Sequence, residues 1–154
     1  MKKIVIASIQ MDIKTGNMDL NLRTAQGFIE KALKHKPQIV TLPEMFATGF
    51  DYPYIKDIAK DSFNELISFL INSSYRYGCY IVGGSIPEMS DGKLYNTSFV
   101  SSPDRKIIGY QRKIHPFTVT EEDKYFTGGD KLNVIPCPLA KLGIVICYDI
   151  RFPE

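Results

Sequence analysis

The sequence predicts an α/β protein on a mixed sheet, the class in which strand–helix alternation and directly linked strands coexist. Three observations predict it. A β-branched apolar run at residues 3–9 is followed by a helical period and then a second apolar run, the order of a βαβ unit. Residues 94–101 and 106–111 succeed one another as strands with only Ser102-Pro103-Asp104-Arg105 between them, which reads as a hairpin. Residues 142–147 are continuously apolar up to Cys147, the pattern of a strand buried on both faces.

The elements follow in order. Residues 3–9 form the first strand, taken as buried. Met18, Leu22, Ala25, Ile29, Ala32 and Leu33 recur at helical spacing, and Pro37 bars continuation, so a helix fills 18–36. The cations at 34–36 fall in its last turn, where they complement the helix dipole. Residues 38–42 form a strand stopped by Pro43. A second helix is expected over 62–77, with Ser62 and Glu65 as a capping box and an apolar face through Phe63, Leu66, Ile67, Leu70 and Ile71. Residues 79–86 form the next strand, in which Gly83-Gly84 marks close backbone packing. Ser90-Asp91-Gly92-Lys93 is a turn. A long connection runs from Arg112 to Leu132, and such loops in compact domains are usually functional. Short strands at 134–135 and 142–147 complete the reading.

Composition narrows the function classes. At 154 residues the chain fits one domain able to bury a core. Its net charge of +2, with the basic residues scattered, lacks the footprint of a nucleic-acid binder. No run approaches the ~20 apolar residues of a membrane span. The apolar start ends by Gln10, too short for a signal peptide. Cys79, Cys137 and Cys147 are odd in number and irregular in spacing, which suggests neither disulfides nor a zinc site. A reduced, cytoplasmic setting is expected. There the sequons at Asn72 and Asn96 carry no meaning. The whole of 1–154 reads as one domain without repeats or linkers. The sequence stops seven residues after the last expected strand, with no closing element.

Three polar residues sit where strands end or the long loop begins. Glu44 lies just beyond the strand ending at Leu42, Cys147 terminates the last apolar run, and Lys113 opens the loop after residues 106–112. Open α/β sheets bind ligands outside the carboxyl ends of their strands. The chemistry of the trio is coherent. A thiol with a pKa of about 8.5 needs a base or a cation to act as a nucleophile at neutral pH. A carboxylate can take its proton and return it to a departing amine, and an ammonium can hold the oxyanion of an attacked carbonyl. Taken singly, each has a plain structural reading: a core thiol, a loop carboxylate, a surface lysine.

The surrounding motifs separate these readings. Leu42-Pro-Glu-Met-Phe-Ala-Thr-Gly-Phe50, Tyr110-Gln-Arg-Lys-Ile-His-Pro-Phe117 and Ile146-Cys-Tyr-Asp-Ile-Arg-Phe-Pro-Glu154 resemble, in order and separation, the glutamate, lysine and nucleophile motifs of the nitrilase superfamily of carbon–nitrogen hydrolases. Glu122, with Tyr125, Phe126 and Gly128-Gly129-Asp130, resembles the loop carrying that family's second glutamate, and fits better than Glu121. The resemblance implies part of an α-β-β-α sandwich with its C-terminal portion missing. It also implies a Glu44–Lys113–Cys147 triad, Glu122 orienting substrate or assisting the lysine, and the backbone N–H of Tyr148 as an oxyanion donor. The implied activity is amide hydrolysis through a thioester, without metal or cofactor, in a homodimer or larger homo-oligomer. Within the family the segments are most similar to the ω-amidase branch, which acts on terminal amides of 2-oxo dicarboxylic acids; a carbamoyl-amide hydrolase and a nitrilase are the alternatives. Arg151 either binds a substrate carboxylate or makes a structural salt bridge. Two rivals remain: a Cys147–His115 dyad, and a partner-dependent half-domain that exposes apolar surface.

Overall fold

The computed structural model describes residues 3–153. Its main sheet opens with three parallel strands, β1 (Ile6–Ser8), β2 (Ile39–Thr41) and β3 (Tyr80–Val82). The strands β4 (Ile86–Ser90), β5 (Lys93–Ser102) and β6 (Lys106–Arg112) pair antiparallel, so the sheet is mixed, as the sequence predicts. β5 is the hub. One edge pairs with β3 at Val100 and Ser101 and with β4 at residues 93–97, and the other edge pairs with β6. Two antiparallel steps, from β3 to β5 and from β5 to β6, return β6 to the direction of β2. The carboxyl ends of β2 and β6 therefore open on the same rim of the sheet.

The expected strand at 79–86 is broken instead into β3 and the start of β4, both on one lane against β5. The break lies at Gly83-Gly84, and its cause is a close approach. Gly84 has φ +54°, and a Cβ there would lie 1.9 Å from the Pro43 carbonyl oxygen, so only glycine fits. Beyond it the β4–β5 hairpin turns on Asp91 and Gly92, both at positive φ, as a two-residue primed turn requires.

Two helices cover one face of the sheet. α1 (Met18–Ala32) matches the expected helix and passes into a 3₁₀ turn at Leu33–His35 before Pro37. It buries Ala25 and Ile29 against Val40 and Ile81. α2 (Tyr52–Tyr77) corrects the expected start at Ser62. Asp51 is the N-cap, accepting from the Tyr54 N–H at 3.1 Å, and Pro53 sits in the first turn, where its missing N–H costs nothing. The buried stripe runs unbroken through Ile55, Ala59, Ser62, Leu66 and Leu70. Ser62 is thus interior rather than a cap, and its hydroxyl has no partner among the described residues. The capping-box signal failed because the small residues Ala59 and Ser62 carry the stripe where sequence shows no large apolar side chain.

Two strand expectations need correction. β1 spans only Ile6–Ser8 and is an edge strand, leaving Ile6 58% exposed rather than buried. The final apolar run is not a central strand either. β7 (Val134–Pro136) and β8 (Lys141–Gly143) make a separate two-stranded sheet, and residues 144–146 have no strand partner among the described residues. Val145 is 56% exposed. Apolar character sets a segment's wish for burial, but a strand also needs a neighbour for its N–H and C=O groups. The run leads instead into a 3₁₀ turn at Cys147–Arg151.

Candidate active site

Glu44 is placed by the turn that leaves β2. Leu42 N–H donates to the Val82 carbonyl at 3.0 Å, keeping the chain in register with β3 one residue past the strand. Met45 N–H donates to Ser85 Oγ at 3.1 Å, and Met45 itself is held at φ +48°. The glycine break in the neighbouring lane and the serine after it therefore clamp both sides of Glu44. Such over-determined positive-φ residues are characteristic of sites that must aim a side chain.

Lys113 follows β6 directly. Its N–H donates to the Asn96 carbonyl on β5 at 2.8 Å, extending the ladder. On the preceding residue, Arg112 forms a bidentate pair with Glu88, at 2.9 and 2.7 Å, and stacks over Tyr95. That clamp holds the end of β6 while the next side chain turns inward. Lys113 is 2% exposed, with Nζ 2.8 Å from Glu44 Oε1 and 2.7 Å from Glu122 Oε2. Glu122 stands in a 3₁₀ turn, Glu122–Lys124, and is 1% exposed; Oε2 also accepts from the Phe117 N–H at 2.7 Å. Its neighbour Glu121 points out and pairs with Lys124. The loop returns on Gly128 and Gly129, where a Cβ would strike the Ile114 and Arg112 carbonyl oxygens.

Asn96 ties the carboxylates together, and sequence reasoning had assigned it only as an idle sequon. Its Nδ2 donates to Glu44 Oε1 at 2.8 Å and to Glu122 Oε1 at 3.0 Å. The amide Oδ1 is buried with no partner among the described residues. An unsatisfied buried acceptor costs about 1–3 kcal/mol, so the arrangement gives up stability to hold two acids in place.

Cys147 opens the 3₁₀ turn at φ +50°. It shares with Glu44, Lys113, Glu122, Phe50 and Tyr52 the lining of a pocket of about 490 Å³. Asp149, 7% exposed, fixes this turn to the loop after β6. Its carboxylate accepts from Ile146 N–H at 3.2 Å, Ile114 N–H at 3.2 Å and His115 N–H at 2.8 Å. One side chain thereby sets the thiol's backbone relative to that of Lys113. Residue 149 lies inside the motif around Cys147, and a short acid soon after a turn is the usual signal for such local capping. Replacing Asp149 with alanine orphans three N–H groups. The expected result is a loss of about 3 kcal/mol in urea denaturation, together with a fall in kcat larger than any rise in KM.

The electrostatics follow from burial and pairing. Burial alone pulls the Lys113 ammonium down, but its hydrogen bonds to Glu122 and Glu44 and their charges outweigh it, and its pKa is raised. Lys113 is a fixed cation. For Cys147, burial first, then the Glu44 charge, push the thiol up, against the pull of Lys113. At rest the sulfur is therefore protonated and needs a base. A lysine ammonium has three protons, and two are engaged by the carboxylates, which leaves one for a ligand.

The remaining expected residues are placed differently. The Tyr148 ring packs between Phe117, at 4.9 Å, and Phe152. Arg151 is exposed, outside the pocket lining, and makes no ion pair among the described residues. His115 also stands outside this lining, with Nδ1 3.0 Å from Asp149 and its ring stacked on Phe152. Among the described residues no group of His, Cys, Asp and Glu side chains is disposed to hold a metal ion.

Comparison with known proteins places the chain in a family. Residues 5–154 match the family model of the carbon-nitrogen hydrolases. A 2-oxoglutaramate amidase from Bacillus subtilis is 33% identical over 152 residues, 99% of this chain and 58% of that protein. The omega-amidase NIT2 of Danio rerio is 35% identical over 161 residues, 100% of this chain and 58% of its own length. The crystal structure of Saccharomyces cerevisiae Nit3, a nitrilase-superfamily member, superimposes with a TM-score of 0.89 at 31% identity, over 98% of this chain and 58% of that one. The chain thus spans a little over half the length of the relatives it matches.

Proposed function

Because the chain belongs to the carbon–nitrogen hydrolase family, we propose that it carries the catalytic half of a small-molecule amidase using Glu44, Lys113 and Cys147. The observation that supports this most is the position of Lys113, held at 2.8 and 2.7 Å between two acids in the pocket that Cys147 lines. A lysine buried between two carboxylates has no use as a surface charge, and its free proton is an oxyanion donor.

The steps follow. Glu44 takes the proton from Cys147, and Sγ attacks the amide carbon. The oxyanion is held by the third proton of Lys113 and by the Tyr148 N–H, one of the unpaired donors opening the 3₁₀ turn. Glu44 passes its proton to the nitrogen, ammonia leaves, and a thioester remains. Water, deprotonated by the same carboxylate, attacks the thioester; the acid departs and the thiol is restored. Glu122 anchors Lys113 throughout. Arg151 takes no part in these steps, and no metal or cofactor enters them. A free Cys147 thiol fits a reduced, cytoplasmic setting.

By likeness to the omega-amidase and 2-oxoglutaramate amidase relatives, the substrate is a terminal amide of a 2-oxo dicarboxylic acid. The aromatic walls at Phe50, Tyr52 and Phe117 would flank its carbon chain. Ammonia release from 2-oxoglutaramate is the expected result with the purified protein. Release from an N-carbamoyl amide or a nitrile instead would move it to another branch. A second reading, a half-domain that acts only with a partner or a second copy, is favoured by the exposure of Leu132, Val145 and Ile150. It predicts no ammonia from any of these, together with a Cys147 inert to iodoacetamide.

A further inference from the structure

We infer that Asn96 is a positioning residue that decides which oxygen of Glu44 serves as the base. The inference rests on the reading of Glu44 given above. Asn96 Nδ2 and Lys113 Nζ both donate to Glu44 Oε1, each at 2.8 Å. Oε2 receives no N–H or O–H donor among the described residues. Two donors on one oxygen draw charge to that side and prevent the carboxylate from rotating, so the other oxygen is the one free to meet a thiol proton.

The second proton of the same amide goes to Glu122 Oε1 at 3.0 Å, and Glu122 Oε2 returns to Lys113 Nζ. Lys113, Glu44, Asn96 and Glu122 thus close a ring of four groups. Within it, the amide can sit in only one orientation, since the reverse would set Oδ1 against two carboxylate oxygens. The orphaned Oδ1 records that constraint. Asn96 also stands inside β5 rather than on a loop, paired to Pro87 of β4 on one side and accepting from the Lys113 N–H on the other. A strand holds a side chain more tightly than a loop does.

A donor to a carboxylate favours its ionised form. Removing Asn96 is therefore expected to favour the protonated form of Glu44. The titratable groups facing Glu44 are Lys113 after β6, Glu122 in the loop, Cys147 in the 3₁₀ turn and Tyr52 from α2. Asn96 adds hydrogen bonds to this set without adding charge.

The test is the pH dependence of Cys147 alkylation by iodoacetamide, followed by intact mass, with the melting temperature measured in parallel. The unsubstituted protein is expected to show an acid limb that Glu44→Gln removes. Asn96→Leu is expected to move its midpoint upward by about one pH unit, a tenfold change in the ionisation equilibrium. Asn96→Asp, nearly the same in shape but acidic, is expected to move it at least as far. A purely structural Asn96 would lower the melting temperature and leave the midpoint in place. An unmoved midpoint in either folded Asn96 variant, with the limb still lost in Glu44→Gln, overturns the role of Asn96 alone. A limb that survives Glu44→Gln overturns the Glu44 reading, and this inference with it.

Discussion

Replacing Lys113 with methionine is expected to abolish ammonia release and to destabilise the protein at the same time. The two losses have separate causes. On the proposed mechanism, the substitution removes the donor aimed at the oxyanion, a change that costs about 3–4 kcal/mol of barrier, or 10² to 10³ in kcat. It also leaves Glu44 without its partner cation. Structurally, Glu44 and Glu122 are left facing one another across the Asn96 amide. Breaking a buried ion pair by deleting one partner typically costs about 3–5 kcal/mol. The stability loss has a characteristic pH dependence. With the cation gone, the folded state gains by taking up a proton between the two acids, so it binds more protons than the unfolded chain. Stability of the variant relative to the unsubstituted protein is then recovered as pH falls. Urea denaturation at two pH values, beside an ammonia assay, measures both effects. Activity retained within a few-fold would remove Lys113 from the mechanism.

The second large effect is expected at Cys147, and it should be confined to chemistry. Cys147→Ala is expected to eliminate turnover and thioester formation, because it removes the one thiol of the pocket lining; losses of about 10⁶ accompany removal of the serine nucleophile in a serine hydrolase. Its stability should stay within about 0.5 kcal/mol, since Cys147 is exposed and packs little. The backbone supplies an internal control. At φ +50° any residue with a Cβ is strained by about 1–2 kcal/mol. Cys147→Gly should therefore be the more stable of the two variants while being equally inactive. A glycine variant no more stable than the alanine one would mean that this turn is not held in the strained form in solution. Undiminished activity in Cys147→Ala would end the covalent reading.

The candidate residues were legible for an instructive reason. Glu44, Lys113 and Cys147 each lie inside a motif of consecutive residues, and each follows or ends an apolar run, so both resemblance and position pointed to them. Asn96 had no such signal. Its part depends on meeting Glu44 across 52 residues of chain and Glu122 across 26, with opposite strand faces choosing which side chains meet. Asp149 lay within a quoted motif, but its bonds to Ile114 and His115 reach back 35 and 34 positions. Arg151 illustrates the converse: it sits four residues from Cys147 and still stands exposed, outside the pocket lining.

What the sequence determined by itself is whatever has its cause within a few residues. Pro37 ends the first helix, Asp91-Gly92 supplies the two positive φ values of a hairpin, and the spacing from Met18 to Leu33 puts Ala25 and Ile29 on one face. Tertiary structure decided where a segment needed a distant neighbour. Residues 142–147 had the composition of a core strand, but 144–146 have no strand partner among the described residues and lead into a strained turn at Cys147. It also decided the chemistry of the site. Composition can place an acid, an amine and a thiol in one chain, but they act strongly on one another only near contact. That contact is made by a sheet whose strand directions bring the ends of β2 and β6 to the same rim.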